Sequence, residues 1–218
     1  LPMEVLFYVK NLNYGMRKKH KRCSWCEGST LYKKYHDEEW GVRIIDDVKL
    51  FEFLTLETFQ AGLSWITVLR KREHFKVAFD QFDYEKVALF GDEEIKALMK
   101  NENIIRNKQK IKAAVNNAQC FITIRKKHRT FSQYIWDFVG GKPLQNSFKT
   151  LDEIPSQTTL SSIISKDLKG NGFKFVGPTV IYAYMQAIGM VNDHLVGCFR
   201  YQELTQKIRK GDHPPSRL

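Results

Sequence analysis

The stretch Lys169-Gly-Asn-Gly-Phe-Lys-Phe-Val-Gly-Pro178 decides how this chain folds, because the segments on both sides of it read as helix. Upstream, Ile163, Ile164 and Leu168 give a short helix an apolar side. Downstream, Pro178 suits a first helical position, where its missing N–H costs nothing. Val180, Ile181, Tyr184, Met185 and Ile188 then recur at near-helical spacing until Gly189 stops the run. The middle is therefore a tight hairpin between two helices, with Gly170, Gly172 and Gly177 supplying turn geometry that a side chain disfavours. Backbone N–H groups left free at such a turn and at the next helix start can hold a phosphate. The same hairpin is also an ordinary packing device.

Working back from it, Asp46 or Asp47 caps a helix that runs to about Phe59, with Leu50, Leu54, Glu57 and Ala61 along one stripe. Glu57 is the anomaly, since a carboxylate on an apolar stripe is costly to bury unless it is paired. It is either a core-edge group bound to a backbone N–H or a Lys/Arg, or a carboxylate displayed in a pocket. Gln60-Ala-Gly-Leu-Ser64 breaks that helix, and the next carries Trp65, Val68, Leu69, Arg72 and Phe75. Residues 23 to 46 show no clean period and read as loop with short helical pieces, yet hold Cys23, Trp25, Cys26, Tyr32, Tyr35, His36 and Trp40. Further helices follow Asp83, Asp92 and Thr130, and the longest amphipathic one spans Ile111 to Arg125. No βαβ alternation occurs, so the fold reads all-α, a bilobal helical body. Residues 1–21 form a basic arm, 22–200 the body, and 201–218 a polar, basic, frayed tail.

Of 218 residues 43% are hydrophobic, enough for a real core, while 35 Lys and Arg against 24 Asp and Glu give a net charge of +11. That balance favours a polyanionic partner such as nucleic acid. Met3 to Tyr8 is too short an apolar run to span a bilayer, so no membrane role is expected and the protein reads as cytoplasmic or nucleoid-associated. Four cysteines in a chain this long point to metal rather than a disulfide scaffold. A structural zinc needs about four Cys or His ligands, and two sets compete: Cys23, Cys26, His194 and Cys198, or Cys23, His36, His194 and Cys198.

Several motifs resemble the DNA-3-methyladenine glycosylases of type I: Arg22-Cys-Ser-Trp25, Tyr32-x2-Tyr-His-Asp-x2-Trp-Gly41, Leu56-Glu57, Gln60-Ala-Gly-Leu-Ser-Trp65, Gly172-Phe-Lys-Phe-Val-Gly177 and Val191-Asn-Asp-His194. They span residues 22 to 200 in the family's order. The resemblance implies a helix-hairpin-helix base-excision fold with the helix-hairpin-helix at about 161–190, and a monomer acting on double-stranded DNA that contains alkylated adenine. It also implies a structural zinc on Cys23, His36, His194 and Cys198, joining loop 23–36 to 194–198 and leaving Cys26 outside. The base-contacting, catalytic carboxylate falls on Glu57, and the pocket aromatics on Trp25, Tyr32, Tyr35, Trp40 and Trp65. DNA contacts fall on Gln60, Leu63, Lys174, Phe175 and Gly177, with Leu63 as the apolar wedge that fills the gap left by a flipped base. Asp193 is the rival for a role at the sugar cation or its water, unless it merely supports His194 or caps a helix. Two alternatives stay open: a zinc-stabilised DNA-binding module without excision activity, and a glycosylase of the same fold with a different alkylated base.

Overall fold

The computed structural model describes residues 20–210, so almost all of the basic arm and the last eight residues lie outside the described residues. Ten α-helices follow in chain order: α1 (Thr30–Glu38), α2 (Asp47–Gln60), α3 (Trp65–Ala78), α4 (Tyr84–Val87), α5 (Asp92–Lys100), α6 (Lys108–His128), α7 (Phe131–Asp137), α8 (Thr159–Gly170), α9 (Pro178–Ala187) and α10 (Phe199–Lys210). The one extended pairing among the described residues is a two-residue parallel ladder, β1 (Leu144–Gln145) with β2 (Val191–Asn192). No helix among the described residues is long and apolar enough to cross a membrane.

The molecule is built around α2. Asp46 is its cap, accepting the Lys49 N–H at 2.8 Å. Asp47 does something else: it receives the Ser132 N–H at 2.8 Å and Arg125 Nε at 2.8 Å, fastening the start of α7 and the end of α6. Every residue of α2 from Leu50 to Phe59 is buried. The apolar stripe expected on this helix is thus a helix covered on all sides, by α3, α6, α7 and α9. Two carboxylates, Glu52 and Glu57, are carried inward with it.

Two segments differ from expectation. Residues 30–38, within the stretch read as loop with short helical pieces, form the full capped helix α1, with Ser29 accepting the Tyr32 N–H at 3.3 Å. Its buried side is made of tyrosine and histidine, which hydropathy periodicity does not register. The tail read as frayed from residue 201 continues α10, held by the buried Leu204 and by the Phe199 N–H bonded to Lys21 O at 3.0 Å.

The α8–α9 hairpin exists where the glycine-rich stretch places it, but its glycines divide the work differently. Gly172 takes φ +91°, where an added Cβ would lie 3.2 Å from Cys120 Sγ. Gly170 ends α8 and Gly177 caps α9 with φ −62°, so neither needs to be glycine for its φ. The second left-handed residue is Phe175, at φ +57°. Neighbours hold the turn in that shape. Asn116 donates to Gly172 O at 2.9 Å, and Ser165 donates to Val176 O at 2.6 Å. Asn117 clamps both peptide groups of Lys174, donating to its O at 3.0 Å and accepting from its N at 2.8 Å. About two turns earlier on α6, buried Lys110 donates to Phe59 O at 2.9 Å and to Ala61 O, closing the carbonyl end of α2. The single helix α6 therefore fixes both turns that the sequence assigns to DNA.

At the far end of α9, Gly189 (φ +74°) lets residues 42–43 approach so closely that a Cβ would sit 2.4 Å from Val42 C. The Gly41 N–H then reaches Gln186 O at 3.1 Å and the Ile44 N–H reaches Ile188 O at 3.0 Å. This seats Trp40 against α9.

Candidate functional site

A cavity of about 210 Å³ opens beside α2, lined by Trp25, Tyr32, Tyr35, Trp40, Glu57, Gln60, Trp65, Ile154, Ala183 and Gln186. All five aromatics named from the sequence are in this wall. Tyr32 and Tyr35 reach it because they lie three apart on α1, on one helical face. Trp25 meets Tyr32 edge-on at 4.9 Å and Trp40 at 5.1 Å between ring centroids, and Tyr35 meets Trp65 at 5.4 Å. The cavity is smaller than the roughly 300–1,000 Å³ that takes drug-sized ligands, which suits one flat ring system.

Comparing the two buried carboxylates of α2, Glu52 and Glu57, shows which is structural. Burial works to raise Glu52, but Arg72 Nε at 2.7 Å and Lys49 Nζ at 2.7 Å outweigh it and hold it below the ordinary carboxylate range. Among the described residues Glu57 meets no cation or backbone N–H, and its Oε2 is buried without a partner. Burial alone pushes its pKa up to about 8, so around pH 7 the neutral acid is favoured. Burial and the Glu57 charge also raise the Tyr32 and Tyr35 phenols, which stay protonated donors. Trp65 Nε1 is a second buried polar atom without a partner on this wall. The pocket thus offers flat faces, an unsatisfied acid and an unsatisfied indole N–H.

Immediately behind the wall, Cys23, His36, His194 and Cys198 bring their ligand atoms within 4.8 Å of one another, all buried, in an arrangement that could hold a metal ion. His36 Nδ1 faces Asp37 Oδ1 at 2.8 Å, and Asp37 is gripped by Arg22 Nε at 2.9 Å. His194 Nε2 faces Trp40 O at 3.0 Å. With those N–H groups committed, His36 Nε2 and His194 Nδ1 turn their lone pairs on the cluster. A thiol–thiolate hydrogen bond shared between the free Cys23 and Cys198, together with the imidazoles, holds Cys198 below its ordinary value, and the same hydrogen bond with burial raises Cys23. Cys26 stands outside, donating its thiol to Cys23 O at 3.1 Å. The Trp25 ring lies 5.3 Å from His36 and the Trp40 ring 4.6 Å from His194, so cluster and pocket share a wall.

Gln60 lines the pocket itself, and Leu63 projects from the turn beyond it, 41% exposed. Lys174 and Phe175 lie on the hairpin with exposed side chains. The Lys174 N–H is taken by Asn117, so it is not one of the free hairpin amides the sequence suggests. The N–H groups of Phe175, Val176 and Gly177 donate to nothing among the described residues. Asp193 is buried beneath three donors rather than facing the cavity wall. Sequence reasoning missed Ile154, Ala183 and Gln186. Gln186 carried a usable signal, a polar residue between Met185 and Ala187 in an otherwise apolar helix, the same anomaly that marks Glu57.

A helical body that displays a desolvated carboxyl among aromatics packed edge-on and tilted is built to take a flat, electron-poor ring out of water. The family described as methyladenine glycosylase matches residues 25–201. DNA-3-methyladenine glycosylase 1 of Escherichia coli (strain K12) is 47% identical over 181 residues, covering 83% of this chain and 97% of that protein. The solved 3-methyladenine DNA glycosylase I from Staphylococcus aureus superposes with a TM-score of 0.79 at 36% identity, over 82% of this chain and 95% of that one. A variant 3-methyladenine DNA glycosylase I solved in complex with 3-methyladenine gives 0.79 at 35% identity, over 82% and 96%. The chain belongs to the methyladenine glycosylase family.

Proposed function

We propose that the protein flips 3-methyladenine out of double-stranded DNA and hydrolyses its N-glycosidic bond, leaving an abasic site for base excision repair. It acts as a monomer, in the cytoplasm and on the nucleoid. The observation that carries this is Glu57: a buried carboxyl with an unpartnered oxygen in an aromatic pocket, on a helix whose other buried carboxyl is fully paired. A base must leave the stack before its glycosidic bond can be reached. The α8–α9 unit, acting as a helix-hairpin-helix, grips the backbone with the free N–H groups of Phe175 to Gly177 and the Lys174 charge. Leu63, on the turn that Lys110 braces, fills the gap. The N3-methylated nucleoside is cationic, so it stacks favourably on aromatic faces and draws Glu57 toward the carboxylate. Water attacks the sugar as the neutral base leaves. Because methylation already makes the base a good leaving group, charge matching by Glu57 is the main demand on the protein.

Zinc fits the Cys/His cluster. A tetrahedral ion with Zn–S about 2.3 Å and Zn–N about 2.0–2.1 Å sets its ligand atoms about 3.3–3.8 Å apart. Four of the six ligand-atom pairs among Cys23, His36, His194 and Cys198 stand at 3.2, 3.5, 3.7 and 3.8 Å, and all six lie within 4.8 Å. Bound there, zinc supplies structural crosslinking of the two chain ends rather than chemistry at the base.

Incubating the protein with methylated duplex DNA and identifying the released bases by chromatography tests the activity; 3-methyladenine is expected, and release of no base supports the binding-module alternative. The grip is tested separately. Lys174→Ala is expected to weaken damaged and undamaged duplex alike and to lower the salt slope by about one. Asn117→Ala, which unclamps the turn without removing a charge, should cost roughly three- to tenfold in affinity with the slope unchanged. Anisotropy titrations across salt concentrations read both, and a loss confined to damaged DNA would move either residue into lesion readout.

A further inference from the structure

We propose that Gln186 is a specificity-determining residue for the base, and that Asp193 is the positioning residue that fixes which end of the Gln186 amide faces the pocket. The inference rests on the pocket assignment above and deepens it. Asp193 is 1% exposed, and three donors converge on its carboxylate. Asn146 Nδ2 reaches Oδ1 at 2.6 Å, while Tyr182 OH at 2.6 Å and Gln186 Nε2 at 2.8 Å both reach Oδ2. Burial and the Asp193 bond raise the Tyr182 phenol, so it remains the donor in that pair. These partners come from three places: the ladder connection, the middle of α9 and its last turn. They occupy Asp193, which excludes it as a free base at the sugar.

A carboxylate accepts and does not donate, so the Gln186 amide has one choice: its NH2 turns to Asp193. Its carbonyl Oε1 then accepts no hydrogen bond among the described residues, and Gln186 lines the cavity. The pocket therefore presents two acceptors with unused capacity, Glu57 Oε2 and Gln186 Oε1, beside the donors Trp65 Nε1 and the Tyr32 and Tyr35 hydroxyls, and Gln186 Oε1 is an acceptor whatever the protonation of Glu57. Adenine carries an amino group at its six position, two N–H donors on one nitrogen. Guanine carries an oxygen there, which would face acceptors across a desolvated gap. Leaving buried polar groups unpaired is what discriminates, more than the bond gained. Gln186, held by Asp193, thus adds an adenine-over-guanine filter to a carboxylate that selects for positive charge alone.

The test compares 3-methyladenine with 3-methylguanine, both released from methylated duplex DNA in single turnover. Gln186→Met keeps the length of the side chain and removes the acceptor. It is expected to slow 3-methyladenine release roughly three- to tenfold and 3-methylguanine release much less. In Asp193→Asn the single carbonyl stands either at the Oδ2 position, where Tyr182 and Gln186 donate, or at the Oδ1 position, where Asn146 donates; in the second arrangement the NH2 faces Gln186, whose amide turns its own NH2 into the pocket. The preference should fall, by no more than in Gln186→Met if both amide orientations are populated, and the double variant should match Gln186→Met, since Asp193 acts only through that amide. Melting midpoint and metal content are read on each variant. Where Asp193→Asn does not fold, Asp193→Ala, which frees the amide to turn either way, is expected to give an intermediate preference. Quenching of tryptophan fluorescence by the two free bases provides a readout independent of turnover. Equal losses for both bases in Gln186→Met, or effects of the two single variants on the ratio that add in the double, would overturn the proposal. If the wild type releases no 3-methyladenine, the pocket assignment itself has failed, and that result is distinct.

Discussion

Glu57→Gln is expected to slow 3-methyladenine excision ten- to a hundredfold while leaving the protein at least as stable as wild type at neutral pH. Two physical facts lead there. Losing a buried charged hydrogen bond typically costs about 1.5–3 kcal/mol, and each 1.4 kcal/mol is about tenfold in rate. Stability moves the other way because Glu57 is buried without a partner and its pKa is raised to about 8. A carboxyl whose folded value lies above its unfolded value contributes stability that is complete below about pH 4, and that contribution is lost as pH rises toward 8. Glutamine never ionises, so the melting midpoint of Glu57→Gln minus that of wild type should grow between pH 5 and pH 8. The gain approaches about 1.4 kcal/mol per pH unit at most, less whatever the unpaired amide costs. Glu57→Ala should be slower still, because a void then faces the base edge.

The same shift sets the activity profile. The quantity kcat/KM reports the ionisation of the free enzyme. A cationic base selects the carboxylate, so kcat/KM should climb with pH by up to tenfold per unit and flatten near pH 8 in the wild type. In Glu57→Gln the profile should be flat over that range. A carboxylate tied to the core would give the reverse pattern, with stability falling on truncation and activity following it. Wild-type excision by well-folded Glu57→Gln would end the assignment of Glu57 as the catalytic residue.

Much of this was legible in the sequence because it is written in anomalies of type rather than in periodicity. Glu57 stands out on an apolar helix, the glycines of the hairpin stand out between two helical patterns, and Cys23, His194 and Cys198 stand out as metal ligands, whereas the choice of His36 over Cys26 came from the family resemblance alone. What could not be read depends on what lies opposite. Helix α2 shows an apolar stripe, but only its neighbours reveal that all its faces are covered, and hence that Glu52 and Glu57 are both buried. The sequence cannot say that Arg72 reaches one and not the other, yet that difference separates a structural carboxylate from an exposed demand for a ligand. Helix α1 escaped for a related reason. Its inward residues Tyr35 and His36 serve the pocket and the cluster, so aliphatic periodicity was never required of it. Phe175 shows the limit of composition: a glycine-rich turn suggests where left-handed residues belong, but the clamp from Asn117 and the grip of Ser165 decide which residue takes that conformation.

The other large effect concerns the proposed zinc. Cys23→Ser, His36→Ala, His194→Ala and Cys198→Ser are each expected to lose the metal and most of the fold's margin, while Cys26→Ser keeps both. Structural zinc contributes apparent binding free energies of about 10–16 kcal/mol in small peptides, comparable with the whole stability of a domain, about 5–15 kcal/mol. Even a third of that sum should lower the melting midpoint by about 10 °C or more in a chain of this size. Loss of activity must follow, for a geometric reason. Trp25 and Trp40 pack on the rings of His36 and His194, and His36 shares α1 with Tyr32 and Tyr35. Release of the cluster therefore frees four of the five aromatic walls at once, whereas Trp65 and Glu57, on α3 and α2, stay in place. Tryptophan fluorescence should accordingly shift on metal removal, with little change in the helical signal from the rest of the body. Thiol titration of denatured protein counts the metal at about one equivalent, and calorimetry with and without chelator reads the stability. Cys26 offers a sharp control: it touches Cys23 O through its thiol, is buried next to the cluster, and is excluded from it only by where its sulfur points. Metal lost in Cys26→Ser but kept in His36→Ala would mean that the ligands are the Cys-x2-Cys pair with His194 and Cys198, and that His36 serves the pocket wall alone.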